Sequence, residues 1–385
     1  MTGSNDGARP NGGAPPGDHG PADSPARPNG DARSSGGARP NAGARSNGNA
    51  GSGALEAPHR RANGAPRLVE RGALIGYRVA EWALGHLPPR LAWTVGGWIA
   101  QAGYVLWPKK RRWVNRNFAH VLGTDPDDPR VRRLALAAYR NYARYLVELM
   151  RLPSLPYEEA ARQIDPHGLD TFEEIRARSN GLIFVVAHVG NNEAIAAGLA
   201  RKGWPVNVVA DDSSFPELFD YLRRQREAWG VRLIPWRNLR DVYKVLRRGE
   251  MLGLLVDWGY RPDGIPVRLF DAWTTLPAGP AVLAARSGAT ILPIAVRRHP
   301  DGRFFVTHDQ PITVASADRA ALAAATQRIA DALERTIGAA PEQWYSFKTI
   351  WPDEPDEVAR LAALAGHATG TPAAGLVEET GAEAG

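Results

Sequence analysis

A histidine followed five residues later by a carboxylate can take up and release a proton, and the chain holds that arrangement twice, as His188/Glu193 and His120/Asp125. With 41 acidic residues and nine His among 385, about one such pair is expected by chance, so spacing alone decides nothing. Context separates the two. His120 follows a basic amphipathic segment, and Asp125 lies in a Thr-Asp-Pro-Asp-Asp stretch that suits a turn or helix cap. His188 is delivered by the apolar run 182–187 into His188-Val189-Gly190-Asn191-Asn192-Glu193. There Gly190 lets backbone approach a ligand closely, Asn191 or Asn192 can cap a following helix, and Glu193 falls in its first turn. A core histidine with satisfied hydrogen bonds is the plainer alternative for such a position.

The rest of the composition narrows the chemistry. The chain has no Cys, which removes disulfides, thiolate nucleophiles and Cys-ligated zinc or iron–sulfur centres. It also has no Gly-x-Ser-x-Gly elbow and no His-Glu-x-x-His cluster. A neutral imidazole acting as general base, supported by a carboxylate, remains. That is sufficient to deprotonate an alcohol as it attacks a reactive acyl donor directly, with no covalent enzyme intermediate.

The elements that must position His188 follow an alternating pattern. Strands are expected at 182–187, 206–210, 231–234, 252–256 and 290–296, with helices at 192–202, 215–229, 238–248 and 278–288. A strand at 303–307 and an Ala-rich helix at 316–338 follow. Such alternation predicts an α/β fold with a mostly parallel central sheet flanked by helices. The continuously apolar runs LIFVVA and LGLLV suit strands buried on both faces. Chemistry in such sheets gathers where strands end, which is where His188 stands, after the first of these runs.

Upstream the character differs. Residues 1–65 are rich in Ala, Gly, Pro, Asn and Arg, and an Ala-Arg-Pro-Asn-like unit recurs irregularly. They have almost nothing apolar to bury, so a disordered tail without a secretory signal is expected, and residues 365–385 read as a second tail. Between them, 66–125 form a helical lead and 126–364 the α/β domain. Residues 72–87 are apolar at helical spacing and Pro88-Pro89 stop the run. Residues 91–107 carry no charge, and Lys109-Lys110-Arg111-Arg112-Trp113 follow at once. A buried hairpin, a helix lying in one leaflet and a short span all fit this stretch. The five aromatics Trp93, Trp98, Tyr104, Trp107 and Trp113 beside a basic cluster suit headgroup depth, with the basic flank on the cytoplasmic side. The net charge of +6 therefore points to a phospholipid surface. No nucleic-acid partner is expected, since no zinc-finger spacing, RNA-binding signature or recognition helix accompanies the charge.

Four blocks, in order, resemble the bacterial lipid A biosynthesis and phosphatidylinositol mannoside acyltransferases, within the wider lysophospholipid acyltransferase group. They are Arg111-Arg112-Trp113-Val114-Asn115-Arg116-Asn117-Phe118; the His188–Glu193 motif; Asp257-Trp258-Gly259 with 264–270, 275–281 and 287–293; and Glu342-Gln343-Trp344-Tyr345. The likeness spans about 70–352. Gly259 stands where relatives often have a second Asp, Asp271 where they usually have Gly, and Asn192 where an aromatic is common.

The resemblance implies a glycerolipid-acyltransferase-like fold. It also implies transfer of an acyl chain from acyl-CoA or acyl-carrier protein, as co-substrate, to a glycolipid hydroxyl at the cytoplasmic face of the plasma membrane. No permanently bound cofactor or metal is expected. His188 would be the general base. Glu193 would orient it or brace its loop, and Asp257 competes as partner of the imidazolium. The oxyanion formed on the thioester needs N–H or Arg donors. Asn191, Arg226, Arg237 and Arg261 are the candidate substrate contacts, each arginine having a solvated surface position as its alternative. A glycerolipid or lysophospholipid acyltransferase shares the motif, and a non-catalytic lipid-binding protein on the same fold is the alternative of another class.

Overall fold

The computed structural model describes residues 67–369, except 157–158, 160–161, 166–168 and 211–214. The tail expected at 1–65 lies outside these residues, as does 370–385. The first five residues assigned to the second tail, 365–369, are instead the end of a helix, α11 (Pro355–Thr369). Val358, Leu361 and Leu364 recur at helical spacing in it, and Leu361 is fully buried, which anchors the helix.

Four helices lead the chain: α1 (Arg67–His86), α2 (Pro89–Leu106), α3 (Pro108–Leu122) and α4 (Pro129–Arg151). Prolines set three of these starts. Pro89, Pro108 and Pro129 each occupy a first-turn position, where the missing N–H costs nothing. Asp128 caps α4 by accepting from the Arg130 N–H, and Gly123 closes α3 in the left-handed conformation. The basic run 109–112 therefore opens a new helix. Among the described residues no helix is long and apolar enough to cross a membrane. The described residues belong to one compact unit, with no division at 125/126.

After α5 (Leu169–Ala177) the expected alternation appears: β1 (Leu182–Val186), α6 (Asn192–Arg201), β2 (Val206–Ala210), α7 (Pro216–Ala228), β3 (Arg232–Pro235), α8 (Leu239–Arg247) and β4 (Met251–Leu255). Then come β5 (Ile265–Leu269), β6 (Ala272–Leu276), α9 (Gly279–Ser287), β7 (Thr290–Arg298), β8 (Phe304–His308) and α10 (Arg319–Ala339). Six strands form one sheet in the order β3-β2-β4-β1-β7-β8, parallel except for β8. Every residue of β1 is buried, as its unbroken apolar run requires. Side chains alternate across the sheet. Ile183, Val185, Leu252 and Ile291 pack with α8, α9 and α10. Phe184, Val186, Leu292 and Ile294 face α6 on the other side.

The hairpin β5–β6 was not anticipated. Its two-residue turn, Phe270-Asp271, has φ of 48° and 57°. A tight hairpin of this kind needs positive φ at both positions, which explains why Gly suits the second of them.

Candidate active site

The parallel register pairs Val186 with Leu255. Two residues beyond each strand end, the same register brings His188 and Asp257 side by side. Asp257 Oδ1 lies 2.6 Å from His188 Nδ1. Its Oδ2 accepts the His188 backbone N–H at 2.9 Å and the Trp344 indole N–H at 2.8 Å. A buried carboxylate without such partners would be protonated or would unfold its surroundings. Burial pushes the Asp257 pKa up, yet the His188 charge and these three donors hold it below the usual range. Burial pushes the His188 imidazole down, but the Asp257 charge and hydrogen bond outweigh burial and the opposing Lys348 charge, so its pKa is raised. With Nδ1 committed to the carboxylate, Nε2 is the nitrogen left to accept a proton.

The loop carrying His188 is fixed by the closing segment of the chain. Gly190 has φ of 68°, and a Cβ there would stand 2.3 Å from the Val296 carbonyl oxygen, so only glycine fits. Its N–H donates to the Gln343 carbonyl, and the Tyr345 N–H donates to the His188 carbonyl. The Gln343 side chain bonds the Arg298 backbone through both its oxygen and its nitrogen. Asn117, buried on α3, donates to the carbonyls of Ser346 and Lys348 and accepts from the Ile350 N–H. The four ordered blocks of the sequence thus meet around one carboxylate.

Glu193 is placed elsewhere. It forms a bidentate ion pair with Arg226 on α7, at 2.6 and 3.0 Å, and so ties α6 to α7. Asn191 is buried, caps α6 by accepting from the Ala194 N–H, and donates to Glu148 of α4. Arg226 and Asn191 are therefore engaged inside the protein, and neither lines the cavity described next. Arg237 stacks on the exposed Trp236, while Arg261 pairs with Asp263 on the surface. These two do not line the cavity either.

His188, Glu193 and Asp257 border a cavity of about 370 Å³ that runs from the strand ends between α6 and the sheet. Its depth is apolar, walled by Phe184, Val186, Ile195, Leu199, Val208 and Leu255. Gly253 of β4 pairs across the sheet with Phe184 and Val208, and its missing side chain leaves the hollow open there. At the mouth stand Trp258, 5.4 Å from the His188 ring, and the cations Lys110 and Lys348. Lys348 lies 3.9 Å from the Trp258 ring centre. Among the described residues no group of three or more His, Asp and Glu is arranged to hold a metal ion.

From sequence Lys348 was not singled out, Lys110 was read only as part of the basic run, and Trp344 only as part of a motif block. Trp344 sits 87 positions from the carboxylate it serves, and the block around it carried the only signal.

The structure thus sets a His–Asp pair at the strand ends of a mostly parallel α/β sheet, at the opening of an apolar cavity. Residues 70–352 match the family model described as bacterial lipid A biosynthesis acyltransferase, and the chain belongs to that family. It is an acyltransferase. It is 29% identical over 248 residues to the phosphatidylinositol mannoside acyltransferase of Mycobacterium tuberculosis, covering 62% of this chain and 76% of that one. The Mycolicibacterium smegmatis protein of the same name is 27% identical over 282 residues, 72% and 90% of the two chains. The lipid A biosynthesis lauroyltransferase of Escherichia coli is 23% identical over 231 residues, 58% and 72%.

The two carboxylates should separate by variant. Asp257→Asn removes the charge that raises the His188 pKa, so the acid limb of the kcat/KM profile should move to lower pH while the rate falls about 10³-fold or more. Glu193→Gln should leave that limb in place and instead cost about 3 kcal/mol of stability by stranding Arg226. A shifted limb in Glu193→Gln, read from pH–rate profiles, would assign the relay to the wrong residue here.

Proposed function

We propose that the protein transfers a fatty acyl chain from acyl-CoA or acyl-carrier protein to a hydroxyl of a membrane glycolipid, such as a lipid A precursor or a phosphatidylinositol mannoside. The observation that carries this is the junction of the His188–Asp257 pair with a deep apolar cavity. His188 Nε2 takes the proton of the acceptor hydroxyl as its oxygen attacks the thioester carbonyl. Asp257 stabilises the imidazolium that forms. The carbon–sulfur bond then breaks, and the departing thiolate takes the proton back from His188. The donor chain lies in the apolar depth of the cavity, while Lys110 and Lys348 at its mouth meet phosphate groups.

Membrane attachment is the second part of the proposal. Ile75, Val79 and Trp82 of α1 and Leu91, Trp98, Ile99, Leu106 and Trp107 on and just after α2 are exposed, beside the basic run 109–112. Soluble monomers rarely leave so large an apolar face uncovered, and aromatic side chains next to Lys and Arg suit the lipid interface. The helices would lie in the cytoplasmic leaflet of the plasma membrane.

Three outcomes test this. His188→Ala should abolish transfer from a radiolabelled acyl donor to phosphatidylinositol mannoside while the fold persists by circular dichroism; retained turnover sinks the mechanism. Gly253→Leu should shift donor preference to shorter chains. A Cβ there meets only ordinary contacts at 3.6 Å, so the added side chain grows into the hollow. An unchanged chain-length profile would remove the donor chain from this cavity. The full-length protein should sediment with membranes in low salt, and recovery in the soluble fraction without detergent would end the interfacial reading.

A further inference from the structure

A second hollow, of about 570 Å³, lies between α1, α2 and α4, and no step of the reaction above uses it. Its lining contains no charged side chain. Ala92, Gly96, Ala100 and Gly103 recur along one face of α2 and form its floor, with Leu146 and Met150 of α4 opposite. At Gly96 a Cβ would make ordinary contact with Ala143 at 3.6 Å, and at Gly103 the trough is open, since a Cβ there would meet nothing within 4 Å. Its rim, Leu91 and Ile99, is part of the exposed apolar face of α2.

The trough ends at the active site. Tyr142 lines both hollows, and its ring packs edge-on at 4.8 Å against Phe347, another wall of the catalytic cavity. From Tyr139 to Met150 the trough follows α4 for about 16 Å. Lys110, one of the two lysines in the cavity wall, follows the end of α2 with Lys109, Arg111 and Arg112 around it.

We propose that this trough holds one fatty chain of the acceptor lipid. The inference rests on the glycolipid-acceptor reading and extends it. A chain lying on Ala92–Gly103 leaves its headgroup at the Tyr142 end. An anionic phosphate there meets Lys110, and the sugar hydroxyls beyond it reach His188. Donor and acceptor chains then use different hollows, one under α6 and one between α2 and α4, and neither must leave for the other to bind. The acceptor is accordingly selected as an amphiphile and not by its sugar alone.

The test uses the full-length enzyme in detergent micelles of fixed composition with two acceptors, phosphatidylinositol mannoside and the same headgroup freed of both fatty chains. Gly103→Leu fills the open end of the trough and replaces a helix-weakening glycine with a strong helix former. The expected result is a fall of about tenfold in the ratio of kcat/KM for the tailed over the deacylated acceptor. Ala100→Met on the same floor should lower the ratio in the same direction if Gly103→Leu does not fold. A ratio equal to that of the wild type in both variants overturns the proposal, including the case where both acceptors lose equally because the trough holds bulk lipid or a second copy of the chain. A wild type that acylates neither acceptor, nor a lipid A precursor, overturns the glycolipid reading and this inference with it. Activity on the tailed acceptor with an insensitive ratio overturns the trough alone.

Discussion

A single negative charge inside the protein, the carboxylate of Asp257, sets the terms for the structure around it. Transferring such a group from water costs several kcal/mol unless it is paired and hydrogen-bonded. Three donors meet that cost: the His188 ring, the His188 backbone and the Trp344 indole. They answer two demands on the chain. The ring and backbone require β1 and β4 to be adjacent and in register. The indole requires the segment after α10 to return over the strand ends. That segment is held by Asn117 from α3, so a residue near the start of the described chain supports a charge at the end of β4.

The helical lead is for this reason a part of the active site and not only an approach to it. Glu148 of α4 receives the guanidinium of Arg298 at the end of β7 and the amide of Asn191 in the catalytic loop. Lys110 of α3 reaches the cavity wall and donates to the Phe347 carbonyl. α1 is tied down separately. Glu70 accepts from the first-turn N–H of Glu217 in α7, and Glu81 accepts from Gln225 and Tyr221. α7 in turn carries Arg226, the partner of Glu193. A shift of the N-terminal helices therefore acts on both sides of the His188 loop.

Much of this order was legible in the residues. β1 and β4 announce themselves as short, continuously apolar runs, β1 being buried at every position, and each starts or ends within a residue or so of its expected limit. The His188 turn was legible because Gly190 has no plain role in a helix or strand. The pairing of charges was left open between Glu193 and Asp257. Glu193 stands five positions from His188 and Asp257 stands 69 away, yet the near carboxylate turns toward Arg226 and the far one reaches the ring. Sequence distance carries no information about which strands become neighbours, and the sheet order β2-β4-β1-β7 decides it. The hairpin β5–β6 escaped for a local reason. Pro266 and the non-glycine turn Phe270-Asp271 hide a tight hairpin whose positive φ angles usually call for Gly or Asn. The end of α11 escaped because an Ala- and Gly-containing stretch looks loose until Leu361 is seen to be buried.

For the proposed reaction, the electrostatics around His188 bear on why direct attack is the economical route. The cavity wall contains one serine, Ser346, and its hydroxyl donates to the backbone carbonyl of Asp257. The imidazole is therefore the group available to the acceptor. An alcohol is far too weak an acid to give its proton to histidine before it attacks, so proton transfer and bond formation must proceed together. A raised pKa favours that step and hinders the next, in which the imidazolium must yield its proton to the departing thiolate. Asp257 pulls toward the first and Lys348 toward the second. A thiol has an ordinary pKa of about 8.5, well below that of an alcohol, so the second transfer needs less help than the first. A carboxylate in direct contact and a lysine acting from further off is the arrangement that this asymmetry favours.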